Sequence, residues 1–517
     1  MRIAYCVLRI ESYTLRNTQY AIRNTQYALF MKIKINDLMQ QSGVKFGTSG
    51  ARGLAVEMTD SVCYAYTQGF LQYLEACGEL KQNGESVAIA GDLRPSTGRI
   101  MGAVAKAALD MGYTPINCGR IPSPAVALYG VEMGCPAIMV TGSHIPADRN
   151  GIKFNKSSGE ILKADEEQIR EQVVEVDESI FCAEGFALPN EQSAARERYV
   201  NRYLSAFPSD SLRGKKVGIY QHSAVGRALL VELFSGLGAE VTALGFSDTF
   251  VPVDTEAIRE EDVALARAWA AEQGFDTIIS TDGDSDRPLI SDEQGNWVRG
   301  DVAGILAAKY LGADSVSTPV SCNSAVEKCG WFKEVRRTKI GSPFVVASMI
   351  EAAEAGSVGV VGYEANGGFL TNSDFLIGTK TLRALPTRDA VLPILSIILL
   401  SIQEQKTIAE LLADLPQRYT ASDRIQNFPT EESGKIIDRF AEVSEISAVW
   451  SSVFGPVAAV DTTDGLRVVF ESTEVLHMRP SGNAPEFRCY NEADSAERVL
   501  EMQRISMQVL LELKAGS

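Results

Sequence analysis

Short apolar runs alternate with helical patterns from Met31 onward, and that alternation restricts the chain to α/β units. Residues 86–90 (SVAIA) read as a strand. Residues 96–111 read as a helix with Ala103, Ala107 and Leu109 turned inward, and 137–140 (AIMV) as the next strand. A second cycle has strand 216–220, helix 227–237, strand 240–244 and strand 276–280 (DTIIS). A third has helix 301–310, strand 315–319, helix 342–355 and strand 358–361. From about residue 420 the pattern becomes α+β, with strands 457–461, 466–471 and 475–478 before a terminal helix 497–513. No repeat is visible among the α/β blocks residue by residue. A chain of 517 residues exceeds what one core supports. Linker signals near 188–193, 297–301 and 415–422 predict four domains, at 31–190, 191–298, 299–417 and 418–517.

The first thirty residues stand apart. Residues 15–21 (LRNTQYA) and 22–28 (IRNTQYA) differ only in Leu15 against Ile22, and Arg2, Arg9, Arg16 and Arg23 face Glu11 alone. Arginine-rich, acid-poor composition suits a transit peptide, and a seven-residue period suits an amphipathic helix. So perfect a repeat reads more simply as a translated nucleotide duplication. Segment 1–30 is then an extension outside the fold, with Met31 as the natural start.

Lysine and arginine number 49 against 66 aspartates and glutamates, a formal net charge of −17. That balance excludes a broad nucleic-acid face, while a local basic cluster can still serve a small anionic substrate. The most apolar stretch, 390–402, is short and holds Pro393, so no membrane span is expected. Nine scattered cysteines without CxxC spacing read as reduced thiols of a cytoplasmic protein.

Five segments carry candidate chemistry. Residues 141–153 (TGSHIPADRNGIK) follow a strand, where α/β proteins bind ligands. Ser143 can act there as nucleophile or phosphoryl carrier, and Lys153 as anion ligand or proton carrier. A plain turn would use the same residue types. Residues 281–288 (TDGDSDRP) place Asp282, Asp284 and Asp286 on alternate positions. Such carboxylates repel unless a cation sits among them, and a hard divalent ion suits them. An EF-hand is excluded, because Arg287 stands where that loop needs glycine and Pro288 follows. Residues 362–368 (GYEANGG) offer Glu364 and Asn366 to sugar hydroxyls. Residues 479–488 (RPSGNAPEFR) offer two arginines, a serine and freed amides to a phosphate dianion. Residues 45–53 (KFGTSGARG) read as a loop folded against a ligand through Arg52, though they lack the phosphate-loop lysine. No HExxH and no G-x-S-x-G occur, and His222 and His477 read as structural.

In this order the segments resemble the α-D-phosphohexomutase superfamily, the phosphomannomutases and phosphoglucomutases, over about residues 45–492. That family's loops read roughly T-A-S-H-N-P with N-G-x-K, D-G-D-x-D-R, G-E-x-S-G-H and R-P-S-G-T-E-P. Here Gly142, Ile145, Asn366, Gly368, Asn483 and Ala484 depart from those patterns. The resemblance implies three related α/β domains with mixed sheets between helices. A C-terminal α+β domain like the TATA-binding protein completes them around a central cleft. It implies an isomerase that interconverts hexose 6-phosphate and hexose 1-phosphate, mannose foremost and glucose next, through a phosphoserine and a 1,6-bisphosphate. It casts Ser143, Lys153, His144 and Arg52 as catalytic, and Ser143, Asp282, Asp284 and Asp286 as ligands of one Mg²⁺. Substrate would meet Arg287, Lys339, Glu364, Asn366, Gly368, Arg479, Ser481, Gly482, Asn483 and Arg488. The expected partners are hexose phosphates, with hexose 1,6-bisphosphate as activator. A Mg²⁺-dependent sugar phosphatase, a phosphoglucosamine mutase and a non-catalytic sugar-phosphate binder stand as alternatives.

Overall fold

The computed structural model describes residues 30–47, 50–81, 84–177, 186–481 and 485–516. The repeat at 15–28 lies outside them, as do Gly482 and Asn483. Residues Phe30–Lys34 form a strand antiparallel to Val173–Asp177, with Phe30 opposite Asp177.

Three mixed sheets share one plan. In the first, Thr114–Arg120, Ser86–Gly91 and Ala137–Val140 are parallel, and the chain then turns back as the antiparallel strand Arg149–Lys156. In the second, Glu240–Phe246, Lys216–His222 and Thr277–Thr281 are parallel, followed by antiparallel Pro288–Ile290. In the third, Glu334–Thr338, Ser315–Pro319 and Val360–Tyr363 are parallel, followed by antiparallel Phe369–Thr371 and Leu385–Asp389. Each of the first three candidate segments is therefore the reversal between a last parallel strand and its antiparallel neighbour. This topological repeat escapes a residue-level comparison because the three reversals share no sequence.

Two readings are corrected. Within the segment 45–53, read as a loop, Lys45–Phe46 and Gly50–Leu54 are strands paired antiparallel, and the second extends the first sheet beside Arg149–Lys156. In helix Thr97–Asp110, Ala103 and Ala107 are buried but Leu109 is 59% exposed. Ala103 and Ala107 are four apart and share a face, whereas Leu109 is two further on and points away.

One core cluster runs through all three sheets, from Ala88 past Tyr199 and Ile305 to Leu415. Helix Val391–Glu404 lies inside it, buried from Val391 to Ser401, which explains an apolar stretch with no polar face. Among the described residues no helix is long and apolar enough to cross a membrane. The C-terminal unit is α+β. Its antiparallel sheet runs Tyr419–Gln426, Glu486–Ala493, Val475–Pro480, Leu466–Phe470, Val457–Asp461. Helices Thr430–Phe440, Val443–Phe454 and Ala496–Gly516 accompany it, and Trp450, Phe470, Phe487 and Met502 form a core of its own. The described cysteines are all free.

Candidate active site

The serine loop is held from beneath by an ion pair. Arg94, 1% exposed, receives its charge balance from Asp92 at 3.0 Å. Its other nitrogens donate to the carbonyls of Ser143 (2.8 Å), Ile145 (2.5 Å), Pro146 (2.6 Å) and Arg149 (3.1 Å). Asp92 also accepts from Thr141 Oγ1 at 2.8 Å, and that oxygen in turn accepts the Ser143 amide at 2.8 Å. So held, Ser143 is buried with φ 55°, a left-handed conformation that a non-glycine residue keeps only under such constraint.

The Ser143 hydroxyl donates to Asp282 Oδ2 at 2.5 Å. The backbone of the second sheet's reversal comes close enough that a Cβ on Gly283 would stand 2.6 Å from the Ser143 carbonyl oxygen, so glycine is required there. Asp282 Oδ1 accepts the amides of Asp286 (3.2 Å) and Arg287 (3.3 Å) and folds the aspartate loop. Burial, with Asp284 and Asp286 beside it, pushes the Asp282 carboxyl well above the usual carboxylate range. Burial acts on Asp286 in the same sense, but Arg388, Lys153 and Arg287 outweigh it and hold that carboxyl below its ordinary value. Lys153 Nζ bridges Asp284 Oδ2 at 2.6 Å and Asp286 Oδ2 at 2.5 Å.

The three aspartates offer ligand atoms within 4.8 Å of one another, all buried. Asp284 Oδ1 and Asp286 Oδ1 have no hydrogen-bond partner. Buried, hard, anionic oxygens with open lone pairs fit a divalent cation such as Mg²⁺.

Around this cluster stand cations. Arg287 NH1 donates to His144 Nδ1 at 2.7 Å, which makes that imidazole an acceptor and therefore neutral. Burial and the Arg287 charge lower the His144 pKa to about 3. Strand register sets Arg52 opposite Gly151. Burial, together with Arg287 and Arg388, lowers the Arg52 pKa to about 10, the mark of crowded positive charge. The third reversal brings Glu364 and Asn366, both buried. Asn366 Oδ1 accepts the Gly368 amide at 2.9 Å, and Thr255 Oγ1 donates to the Asn366 carbonyl at 2.7 Å.

Arg479, Ser481 and Arg488 line a cavity of about 420 Å³ with Lys45, Gly47 and Arg170. Gly47 directly follows strand Lys45–Phe46, which pairs with the strand that carries Arg52. Lys339 does not line it; it lines a neighbouring cavity with Arg336 and Phe344, while Ile340 and Gly341 take its place here. His222 and His477 lie elsewhere, each with Nε2 on a backbone carbonyl, of Thr281 (2.8 Å) and Asp464 (2.6 Å). Sequence reasoning missed Asp92, Arg94, Glu160 and Arg388. The first two follow strand Ser86–Gly91, the same strand-end signal that flagged the serine loop.

A buried serine on a cluster of three aspartates, with a lysine among them and arginines around them, fits the class of phosphoryl-transfer enzymes. Comparison with known proteins narrows that class. Models of the phosphoglucomutase/phosphomannomutase alpha/beta/alpha domains I, II and III match residues 43–179, 197–295 and 299–419, and that of the C-terminal domain matches 426–506. A phosphomannomutase of Salmonella muenchen is 45% identical over 462 residues, covering 89% of this chain and 94% of its own. One of Sinorhizobium fredii is 42% identical over 461 residues, covering 88% and 96%. A phosphoglucomutase/phosphomannomutase family protein from Burkholderia thailandensis, 21% identical, shares the fold with a TM-score of 0.71 over 91% of this chain and 97% of that one. The chain belongs to the phosphoglucomutase/phosphomannomutase family and is an isomerase.

Proposed function

We propose that this enzyme interconverts mannose 6-phosphate and mannose 1-phosphate, with glucose phosphates as second substrates. Ser143 would carry the phosphoryl group and a hexose 1,6-bisphosphate would be the intermediate. The observation that carries the reading is the Ser143 hydroxyl at 2.5 Å from Asp282, inside a buried aspartate cluster bridged by Lys153. The names of the two most identical relatives cited above support mannose.

Phosphorylated Ser143 transfers its phosphoryl group to the free hydroxyl of the sugar phosphate, so the P–Oγ bond breaks as a P–O bond to sugar forms. Lys153 Nζ, in its neutral amine form and released from Asp284 and Asp286, would take the proton of that hydroxyl and become the ammonium. After the bisphosphate turns over, Ser143 Oγ attacks its other phosphate, and Lys153 returns the proton to the departing sugar oxygen. Asp282, Asp284 and Asp286, with Ser143, would hold Mg²⁺, which supplies neutralisation of the charge on the transferring group. Arg52 and Arg287 face the same phosphoryl oxygens, and His144 fixes Arg287. Glu364, Asn366 and the Gly368 backbone grip the sugar. Arg479, Ser481 and Arg488 hold the non-reacting phosphate, and that remote grip positions both orientations.

The test is a coupled assay of mannose, glucose and glucosamine 1-phosphates, with and without the matching bisphosphate, joined to mass spectrometry of Ser143. Ser143→Ala should lose the phosphopeptide and on the order of 10³-fold or more of turnover. Wild-type turnover in that variant would defeat the mechanism. Inorganic phosphate released in place of isomer would make the enzyme a phosphatase.

A further inference from the structure

Arg388 belongs to none of the reversal segments, yet it stands where they meet. It sits on strand Leu385–Asp389 and is 1% exposed. Its guanidinium lies 3.2 Å from Asp286 Oδ2 in the aspartate loop, 3.6 Å from Glu364 Oε2 in the sugar loop and 3.5 Å from Glu160 Oε1 of the first sheet. One planar fork therefore serves a carboxylate from each of the three sheets, a geometry that an ammonium cannot reproduce.

The strand beneath Arg388 is fixed from two sides. Asp389 accepts from Tyr199 at 2.6 Å and from Tyr203. Glu160 accepts from Thr387 Oγ1 at 2.9 Å, from Ser342 Oγ at 2.7 Å and from the Arg388 amide at 3.3 Å. The side chain has little freedom to swing away.

Its stem occupies a definite place. A Cβ on Gly368 would stand 2.8 Å from both Cγ and Cδ of Arg388, so no side chain fits at 368 while the arginine is there. Glu364 Oε2, meanwhile, is buried with no hydrogen-bond partner. At 3.6 Å the arginine faces that carboxylate without closing its lone pairs, which leaves them for a ligand hydroxyl.

We propose that Arg388 is the specificity-determining positioning residue of the hexose site. It fills the space beside Glu364 that a residue-368 side chain would otherwise take, and it orients Glu364 toward the sugar while tying the sugar loop to the aspartate loop. The proposal rests on the hexose phosphate reading above. Arg388 acts through Glu364, and the Arg388–Gly368 pair sets which hexose is preferred.

The experiment is a double-mutant cycle of Arg388→Ala, Gly368→His and both together, with Arg388→Lys as a variant that keeps a buried cation. Two readouts are taken: kcat/KM for mannose 1-phosphate against glucose 1-phosphate, and, on a Ser143→Ala background, the ratio of Kd values for the two 6-phosphates. Thermal melts establish which variants fold. Each single variant should lose about 100-fold in kcat/KM. The double variant should recover about tenfold over the product of the singles, because neighbours that share one space are non-additive. The mannose-to-glucose ratio should move by about tenfold in the double variant and in Arg388→Lys. Additive losses with an unchanged ratio in both readouts would reduce Arg388 to a structural brace and overturn the proposal. Wild-type protein that binds both 6-phosphates but turns over neither 1-phosphate would defeat the function reading, while the Kd ratio still decides on Arg388. Absence of hexose phosphate binding would overturn both.

Discussion

Arg94 donates to four carbonyls of the serine loop and pairs with Asp92, both side chains fully buried. Removing it leaves a buried carboxylate unpaired and a left-handed Ser143 without its hold. Arg94→Ala should therefore lose about 3–5 kcal/mol in urea unfolding, along with most turnover. Arg94→Lys should do little better, since one ammonium cannot serve diverging carbonyls. Either variant with wild-type stability and rate would show the clamp to be dispensable. The same residue explains a departure in the serine loop. At Gly142 a Cβ would stand 2.6 Å from Arg94 Cζ, so the alanine of the family pattern has no room here. Ser143, Lys153 and the aspartates were legible because spacing and chemistry coincide in a short segment. Arg94, Glu160 and Arg388 were not. Apart from Asp92 beside Arg94, their partners lie tens to hundreds of positions away, and no local pattern marks them.

Strands that end in short apolar runs were readable almost residue for residue, as at Ala137–Val140 and Ser315–Pro319. Strand Arg149–Lys156 was hidden inside a loop reading. It buries Asn150, Lys153 and Asn155, so the apolar signal of a buried strand is missing where the site needs polar groups. Helix Val443–Phe454 was missed for another reason. Its Ile446, Trp450 and Phe454 keep helical spacing, but valines and serines between them weaken the propensity. Two strands carry a titration signature. His222 closes strand Lys216–His222 and His477 lies in Val475–Pro480, and burial lowers each pKa to about 4. Below the ordinary histidine value near 6.5 the unfolded chain takes protons that the folded chain refuses until pH falls to about 4. Stability is thus full above that upper value and falls through the window beneath it, by about 1.4 kcal/mol per pH unit for each histidine. Melts between pH 7 and pH 4.5 should show the decline, and His477→Gln should flatten it. A parallel profile in that variant would refute the assignment.

At the scale of the molecule, a protein of net charge −17 gathers Arg52, Lys153, Arg287 and Arg388 around three buried aspartates. The cluster draws on separate sheets: Ser143 and Lys153 from the first, the aspartates from the second, Glu364 and Arg388 from the third. Whatever binds the aspartates therefore braces elements that share one core, whereas the C-terminal sheet has its own. A divalent cation bound only by the folded state raises stability by about 1.4 kcal/mol at ten times its Kd. Titration with Mg²⁺ should raise the melting temperature of the wild type. Manganese binding followed by electron paramagnetic resonance should give one site per chain. Asp284→Asn should lose both the shift and the site. Hydrogen exchange should slow on Mg²⁺ addition in strands Lys216–His222 and Thr277–Thr281, and stay unchanged in Val457–Asp461 and Leu466–Phe470. An equal shift in Asp284→Asn would place the cation elsewhere. Slowed exchange spread evenly over the C-terminal sheet would mean that the metal organises the whole chain as one body, contrary to the separate core of that sheet.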